Sequence, residues 1–401
     1  MRSEAEPLKH VLVLSTLYPN AVNPRFGTFV ARSIEALAKR GDWRVTVVNP
    51  VGLPPLAFGR YRALAELPDV SEEGGVTIYR PHFTLIPRIG ARRNAAAIAR
   101  AVLPLARRLH AALPVDLIDA QFFFPDGPAA AEVAEALGLP LTIKARGSDI
   151  SFWGAHDFAR RQMLAAAHSA KGLLAVSRDL AGQMAAMGMD PGKITVHYTG
   201  LDRDRFRPFD HTQLRRQLSE ELGFEMPANA PLLACIGALI ERKGQGIAIS
   251  ALKAIPGARL VLVGKGEDEA RLRALAQSEG VADRVMFAGL IDHDLMPLIL
   301  SAADVMVLPT ASEGLANAWV EALACGTPVV TCNVGGAREL INSPVAGRLV
   351  ARNTAAVAAG INGILNDPPP REAVAALTEH FSWEANAAAL AEHYERLVGG
   401  A

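Results

Sequence analysis

Two α/β domains, each a doubly wound parallel sheet, are the fold class this sequence predicts, and three observations predict it. The chain has 401 residues, half of them hydrophobic, which is enough to bury two cores. Short apolar runs of the parallel-strand kind alternate with helix-period stretches, and that alternation starts twice, near His10 and again near Leu232. Residues 305–328 then read strand, loop, helix and stop: Val305 to Leu308 is apolar, Glu313-Gly314 breaks it, and an Ala/Leu/Trp pattern runs to Gly326 with Pro328 beyond.

In the first domain, His10 to Ser15 is a buried strand. A long polar loop from Thr16 to Gly27 leads into a helix over Thr28 to Lys39, which stops at Gly41. Arg44 to Asn49 completes a β-α-β unit. Residues 86–113 alternate Arg88, Arg92, Arg93, Arg100, Arg107 and Arg108 with Ile89, Ile98, Val102 and Leu105, a basic amphipathic helix that Pro104 would kink. Such a helix can lie on anionic lipid, or it can be a surface helix with snorkelling arginines. Leu117 to Gln121 is a strand; the three phenylalanines after it are read as packing, and an alanine-rich helix runs on to Gly138. Leu141 to Lys144 is a strand ending in Ala-Arg-Gly-Ser-Asp, with His156 close by as a structural histidine. Gly172 to Ser177, a helix over Arg178 to Met187, and Ile194 to His197 close the domain.

In the second domain a charged helix over 212–222 precedes the strand Leu232 to Ile236. The loop Gly237 to Gly244 carries Arg242 and Lys243. Arg259 to Val263 is the next strand, with a tight Gly264-Lys-Gly266 turn into a helix over 268–279. Arg284 to Ala288, a helix over 294–302, the segment 305–328 and the strand Thr327 to Thr331 follow. Gly335-Gly336 permits close backbone approach. Residues 381–398 form an amphipathic terminal helix. The expected divisions are 1–203, 204–378 and 379–401.

Formal net charge is zero, which argues against nucleic acid as the main partner. About six surplus positive charges in residues 1–200 are balanced by the rest of the chain. Cys235, Cys325 and Cys332 have no repeating spacing and read as packed, reduced thiols. No apolar run is long enough to span a bilayer, and the polar N-terminal segment Met1 to Pro7 is unlike a secretory signal, so a cytoplasmic protein is expected. Asp202-Arg-Asp204 and Asp292-His-Asp294 spell a metal-binding tripeptide in linker contexts; no metal site is expected.

The segment 305–328 has the chemistry of a ligand site. Gly314 lets the chain turn, and the amides of Leu315, Ala316 and Asn317 are expected as the orphan donors that open the helix, a place for phosphate. Glu313 and Glu321 repel phosphate but accept strongly from hydroxyl groups. A ligand with a central diphosphate and polyols at both ends, such as a sugar nucleotide, fits.

Glu313 and Glu321, with seven residues between them and followed by Ala-Leu-Ala-Cys-Gly-Thr-Pro-Val-Val, resemble the signature of the retaining glycosyltransferases of family 4. The resemblance implies a GT-B fold: two Rossmann-like domains facing across a cleft, donor on the C-terminal half, acceptor on the N-terminal half, and a terminal helix crossing back. It implies that Glu313 lies by the donor sugar and Glu321 holds the ribose. Lys243-Gly244 match the family's Lys-Gly, with Lys243 on the diphosphate; the family's partner arginine is Ala238 here, and Arg242 is the candidate substitute. Leu290 and Ile291 are implied at the base, Gly335-Gly336, Glu339 and Gly347 match the family's Gly-Gly-x-x-Glu and later Gly, and Arg25, Phe26 and Gly27 match the loop that reaches toward substrate. Arg146 stands where many members have His; it suits holding an anionic group over moving a proton, with Asp149 as a hydroxyl acceptor. The Ser-Thr-Leu-Tyr-Pro and Arg-Gly-Ser-Asp segments look closest to the teichuronic-acid type of member.

The activity so implied is metal-independent transfer of a hexose-type sugar, with retention, from a nucleoside-diphosphate sugar to a polysaccharide or lipid-linked acceptor. No cofactor beyond the donor is implied, and a uridine donor is favoured over a guanosine one. The expected location is the cytoplasm, with peripheral attachment to the inner face of the plasma membrane as the option if residues 86–113 lie on lipid. A nucleotide-sugar 2-epimerase of related fold and a catalytically silent nucleotide-sugar-binding protein are the alternatives.

Overall fold

The computed structural model describes residues 8–86, 90–227, 229–292 and 294–399. The N-terminal segment Met1 to Pro7, Arg88, Ile89 and His293 lie outside them. Two compact units result: the chain up to Gly200 together with the part from Trp383 onward, and Leu201–Ser382. These borders differ by a few residues from 203/204 and 378/379, and local packing gives the reason. A Cβ on Gly200 would sit 2.2 Å from the Trp383 ring, tying both ends to the first unit. Arg203 instead donates to the Thr378 carbonyl at 2.8 Å within the second.

The described residues of the first unit form an eight-stranded sheet in the order Ile194–Val196, Gly172–Ala175, Leu141–Ala145, Leu117–Ala120, Lys9–Leu14, Trp43–Val48, Val76–Tyr79, Val70–Glu73. All neighbours are parallel except the last pair. Chain order reverses between Lys9–Leu14 and Leu117–Ala120. One face buries Val11, Val13, Val45, Val47 and Ile78 against Ile34 and Leu37 of helix Thr28–Arg40 and Leu390 and Tyr394 of helix Trp383–Val398. Each such aliphatic side chain contributes roughly 1.5–3 kcal/mol when fully buried.

The strand pair Val51–Leu53 and His82–Thr84, the hairpin Val70–Glu73/Val76–Tyr79 and the helix Asp157–Ser169 were not expected from sequence. The short strands carry too few residues for periodicity to register. The hairpin had a usable signal in Gly74-Gly75, both at positive φ (57° and 80°), a two-residue turn that suits antiparallel strands. The basic helix runs Ala91–Ala112 with Pro104 inside it. Its apolar residues Ala95, Ile98, Ala99, Val102 and Ala106 are buried, and it packs on helix Asp126–Leu137. That face therefore belongs to the core, so of the two readings of residues 86–113 the described part fits the surface helix packed by its apolar side and not one laid by that side on lipid.

The described residues of the second unit form a six-stranded sheet in the order Val285–Gly289, Arg259–Val263, Leu232–Ile236, Val305–Leu308, Val329–Cys332, Gly347–Val350, all parallel. Here the order reverses between Leu232–Ile236 and Val305–Leu308. Strand Gly347–Val350 and helix Thr354–Asn366 were not expected. Gly347 is needed for close strand contact, because a Cβ there (φ 138°) would lie 1.9 Å from the Val329 carbonyl oxygen. Burial pushes the Cys235 and Cys325 thiols up to about 12, as packed, unreactive thiols should behave. Among the described residues no helix is long and apolar enough to cross a membrane.

Candidate functional site

In open parallel sheets the C-terminal strand ends beside an order reversal leave a crevice where ligands bind. In the second unit that crevice opens where Ile236 and Leu308 end, and the loops leaving them are the two singled out by sequence. They are laced together. Ala311 N–H donates to the Arg242 carbonyl at 2.8 Å. Gly244 sits at φ 77° with its Cβ position 2.3 Å from the Pro309 carbonyl oxygen, so no other residue fits without moving a loop. Arg352, which no sequence pattern flagged, donates from Nε to Pro309 O at 3.0 Å and from Nη2 to Glu241 O at 2.9 Å, clamping both loops.

Between these loops lies an ion pair. Lys243 Nζ donates to Glu313 Oε1 at 2.5 Å, with side-chain exposures of 15 % and 11 %. Thr310 Oγ1 donates to the same oxygen at 2.9 Å, and Arg242 Nη1 lies 3.6 Å from it while donating to the Ser312 carbonyl. Sequence reasoning missed Thr310; its place right after the Pro309 stop was the available signal. Lys243 carries three protons and is given one partner in the structure, so its charge can still serve an incoming anion.

The helix after this loop is Asn317–Ala324, with Ala316 as N-cap and no side-chain cap. The helix begins two residues later than expected: Leu315 precedes it, Ala316 is its N-cap and Asn317 its first residue, so Ala316 and Asn317 of the expected donor set stay at the helix mouth and Ala318 joins them. The chain bends at Gly314 and Leu315, and Ala316 is extended (ψ 118°) just before the helix. The Glu313-Gly314 turn has Gly335-Gly336 as its neighbour. A Cβ on Gly335 (φ 52°) would lie 2.0 Å from the Glu313 carbonyl oxygen, and Gly336 N–H donates to Gly314 O at 2.8 Å. The close approach expected of this glycine pair is thus made to the Glu313 loop itself. Glu321 is half-buried one turn into the helix. Leu290 stands exposed just after Gly289, and Ile291 is buried.

The first unit has its own cluster at the Lys9–Leu14/Leu117–Ala120 reversal. Asp126, fully buried, accepts from Thr16 N–H at 2.8 Å and Thr16 Oγ1 at 2.7 Å, and burial pushes its carboxyl up to about 7. Gly27 (φ 73°) closes the loop on itself, its Cβ position 2.5 Å from the Leu17 carbonyl carbon, while Arg25 and Phe26 are exposed. Arg146 donates from Nε to Gln121 O at 2.9 Å and from Nη2 to Gln121 Oε1, with its guanidinium 4.8 Å over the Phe29 ring. Burial lowers it to about 10, which leaves it a cation at neutral pH.

Asp149 corrects its expected role. Its carboxylate accepts backbone N–H groups from Phe123 (2.9 Å), Arg146 (3.0 Å), Gly147 (2.8 Å) and Ile150 (3.1 Å), and it is fully buried. Four donors fill its acceptor sites, so it organises the Arg146 loop and has no capacity for a substrate hydroxyl. Behind it, buried Asp119 accepts from Gln121 Nε2 and Tyr394 OH. Buried Lys144 lies 2.6 Å from His197 Nδ1, whose Nε2 faces the Asn386 carbonyl at 2.9 Å. A carbonyl only accepts, so His197 is the Nε2–H tautomer and Lys144 is the donor to it. The terminal helix is thereby hydrogen-bonded to the strands that carry Arg146. No sequence pattern announced that network, whose members lie far apart along the chain.

The profile of glycosyl transferases group 1 matches residues 222–380, and that of Glycosyltransferase Family 4 matches residues 26–205. A Bacillus subtilis protein assigned to teichuronic acid biosynthesis as glycosyltransferase TuaC is 29% identical over 339 residues, covering 82% of each chain. Among solved structures, the sucrose-phosphate synthase of Thermosynechococcus elongatus superposes with a TM-score of 0.76 at 24% identity, covering 98% of this chain and 100% of that one. Anabaena Alr3699/HepE in complex with UDP-glucose superposes with a TM-score of 0.73 at 22% identity, covering 97% of this chain and 100% of that one.

Proposed function

The chain belongs to the family 4 glycosyltransferases of GT-B fold, and we propose that it moves a hexose-type sugar, with retention, from a nucleoside-diphosphate sugar to a polysaccharide or lipid-linked acceptor. The observation that carries this reading is the Lys243–Glu313 pair, at 2.5 Å, held at the order reversal of the second sheet beside a helix start with no side-chain cap. On this reading the donor diphosphate rests against the Asn317 and Ala318 amides with Lys243 beside it. Positive charge placed there lowers the energy of the leaving diphosphate, commonly the largest catalytic contribution. Glu313 sits by the transferred sugar and Glu321 accepts from the ribose hydroxyls.

The first unit takes the acceptor, with Arg146 as an anion-holding cation two of whose donors are already fixed on Gln121. No base is assigned in the first unit, because Asp149 is saturated and Arg146 is charged. The departing phosphate oxygen then takes the acceptor proton, which is consistent with front-face transfer and retention. The Anabaena neighbour crystallised with UDP-glucose supports a uridine donor, and the teichuronic-acid relative supports an envelope polysaccharide or its lipid-linked precursor as acceptor. The site of action is the cytoplasmic face of the membrane.

The test is a screen of UDP- and GDP-sugars with the purified chain, with and without a polyprenyl-linked saccharide and with chelator present. Acceptor-dependent release of UDP, a product with the donor's anomeric configuration by NMR, and indifference to chelator are expected. Turnover of donor alone to an epimer, or an inverted product, would refute the proposal.

A further inference from the structure

One residue grips the half-buried Arg146 guanidinium along one edge. Gln121 accepts Arg146 Nε on its backbone oxygen at 2.9 Å and Arg146 Nη2 on its side-chain oxygen Oε1, while the Phe29 ring covers a face of the cation at 4.8 Å. Those bonds use two of the five guanidinium N–H groups, which leaves Nη1 to an incoming oxyanion. A glutamine holds a cation in this way only if its amide is turned correctly. Oε1 faces Arg146 only when Nε2 faces elsewhere, and Gln121 is fully buried, so Nε2 needs a protein acceptor.

Asp119 is that acceptor. Its Oδ2 takes Gln121 Nε2 and also the hydroxyl of Tyr394, which reaches it from the terminal helix Trp383–Val398. Its other oxygen, Oδ1, is buried with no hydrogen-bond partner among the described residues. Two donors thus support a carboxylate that burial already pushes up from its ordinary range, and losing either makes the charged form harder to keep. A protonated Asp119 would donate as well as accept, and Gln121 could then turn either end of its amide to Arg146. The Tyr394 hydroxyl therefore bears on Arg146 through two intermediates: it keeps Asp119 an acceptor, Asp119 orients the Gln121 amide, and Gln121 fixes the guanidinium. Tyr394 is fully buried with its ring edge-on to Trp43 at 5.2 Å, and burial beside Asp119 keeps its hydroxyl protonated. The helix has other anchors. Asn386 accepts from Ser33 Oγ and donates to the Tyr198 carbonyl, each at 2.6 Å, and His393 Nε2 lies 2.9 Å from Thr142 Oγ1.

We propose that Tyr394, Asp119 and Gln121 are positioning residues: they hold the Arg146 guanidinium in one orientation, with its Nη1 edge open to an oxyanion, carboxylate or phosphate, on the acceptor. The inference rests on the reading of Arg146 as the acceptor-side cation, and it gives the terminal helix a part in the acceptor site. An arginine side chain has many rotamers, and one already fixed has little freedom to lose when an anion arrives. Because Asn386 and His393 keep the helix docked, the Tyr394 hydroxyl can be removed without undocking it.

The test follows the Arg146 Nε–H proton by NMR in the full chain, isotopically labelled at arginine, with the signal assigned by its loss in Arg146→Lys. Tyr394→Phe keeps the ring and removes only the hydroxyl; folded by circular dichroism, it should exchange this proton with water about fivefold faster than wild type. Asp119→Asn should exchange it at least as fast. Tyr394→Phe should add nothing in the Asp119→Asn background, because the hydroxyl acts through the carboxylate, whereas independent structural losses add. Glu395→Gln, next along the helix and paired with exposed Lys9, should leave the proton unchanged. With UDP at saturation, methyl glucuronide or methyl glucoside 6-phosphate should shift the wild-type signal and methyl glucoside should not, the more effective anion identifying the oxyanion. Tyr394→Phe should bind that sugar several-fold more weakly. Equal exchange in wild type, Tyr394→Phe and Asp119→Asn, or additive losses in the double variant, would overturn the positioning role even where the anions shift the signal. A signal that neither anion moves, or that all three sugars move alike, would overturn Arg146 as the acceptor-side cation, and the proposal with it, whatever the exchange rates.

Discussion

Replacing the two members of the half-buried ion pair, singly and together, separates their structural and catalytic roles. At 2.5 Å and an effective dielectric of about 20, the attraction between Lys243 and Glu313 is roughly 7 kcal/mol gross. Taking both ions out of water offsets most of that. Lys243→Met leaves Glu313 with Thr310 at 2.9 Å and Arg242 at 3.6 Å, so its stranded charge is partly met. A loss of about 2–3 kcal/mol is expected, below the usual range for breaking a buried pair. Glu313→Gln keeps an amide oxygen for both donors and should cost about 1 kcal/mol. The double variant leaves no unpaired charge and should be more stable than the sum of the singles, with a coupling of about 1–3 kcal/mol. Urea unfolding followed by tryptophan fluorescence measures these differences. Initial rates of nucleoside diphosphate release with donor and acceptor measure catalysis, where each single change should lower kcat by about a hundred- to a thousandfold. The double change should cost little more than the worse single, because the pair acts as a unit. Rates within about threefold of wild type in both singles would remove the site from this pair.

Three further outcomes are expected. Gly335→Ala places a methyl group 2.0 Å from the Glu313 carbonyl oxygen at φ 52° and should lose about 3 kcal/mol of stability together with activity. Gly257→Ala, at φ 73° with open space around it, should lose only about 1 kcal/mol and keep its rate; urea unfolding and initial rates distinguish the two. Asp126 has its carboxyl raised to about 7 by burial. The folded form therefore holds a proton that the unfolded form has released between about pH 4 and pH 7, and its contribution to stability falls across that window as pH rises. Relative to wild type, Asp126→Asn should gain up to about 4 kcal/mol between those pH values, read as the change in their stability difference in urea at each pH; a difference that does not vary with pH would refute the assignment. Asp149→Asn loses acceptor capacity for four backbone amides and should destabilise the first unit by about 2–4 kcal/mol. Binding of UDP, which the proposal assigns to the second unit, should persist; if only acceptor KM changed, with stability intact, Asp149 would be a ligand group after all.

Most of the two sheets was legible before any coordinates. Strands such as Leu232–Ile236 and Val305–Leu308, and the helix Arg178–Met187, fall where apolar runs and punctuating glycines put them, because parallel strands buried on both faces have to be continuously apolar. The Glu313 and Lys243 loops were legible for the same reason: each begins where such a strand stops. The helix start was misplaced by two residues because its position depends on Gly335 and Gly336, which press on the Glu313-Gly314 turn from another loop. The sequence of the basic helix allows a lipid-facing or a packed apolar side, because its 3.6-residue period shows that a face is buried without showing what buries it. Helix Asp126–Leu137 decides that.

Sequence by itself determined the fold class, the family signature at Glu313 and Glu321, and which loops leave the sheet reversals, since these follow from local periodicity and local residue chemistry. Tertiary structure alone decided that Lys243 rests on Glu313, that Arg352 and Thr310 hold them, and that Asp149 is saturated by backbone amides. The contacts of Lys243 with Glu313 and of Arg352 with the two loops join residues tens to a hundred positions apart, and the local bonds around Thr310 and Asp149 depend on a backbone path that such contacts set. Hydrogen bonds and ion pairs act over a few ångströms, and only the completed packing sets which groups come within that reach.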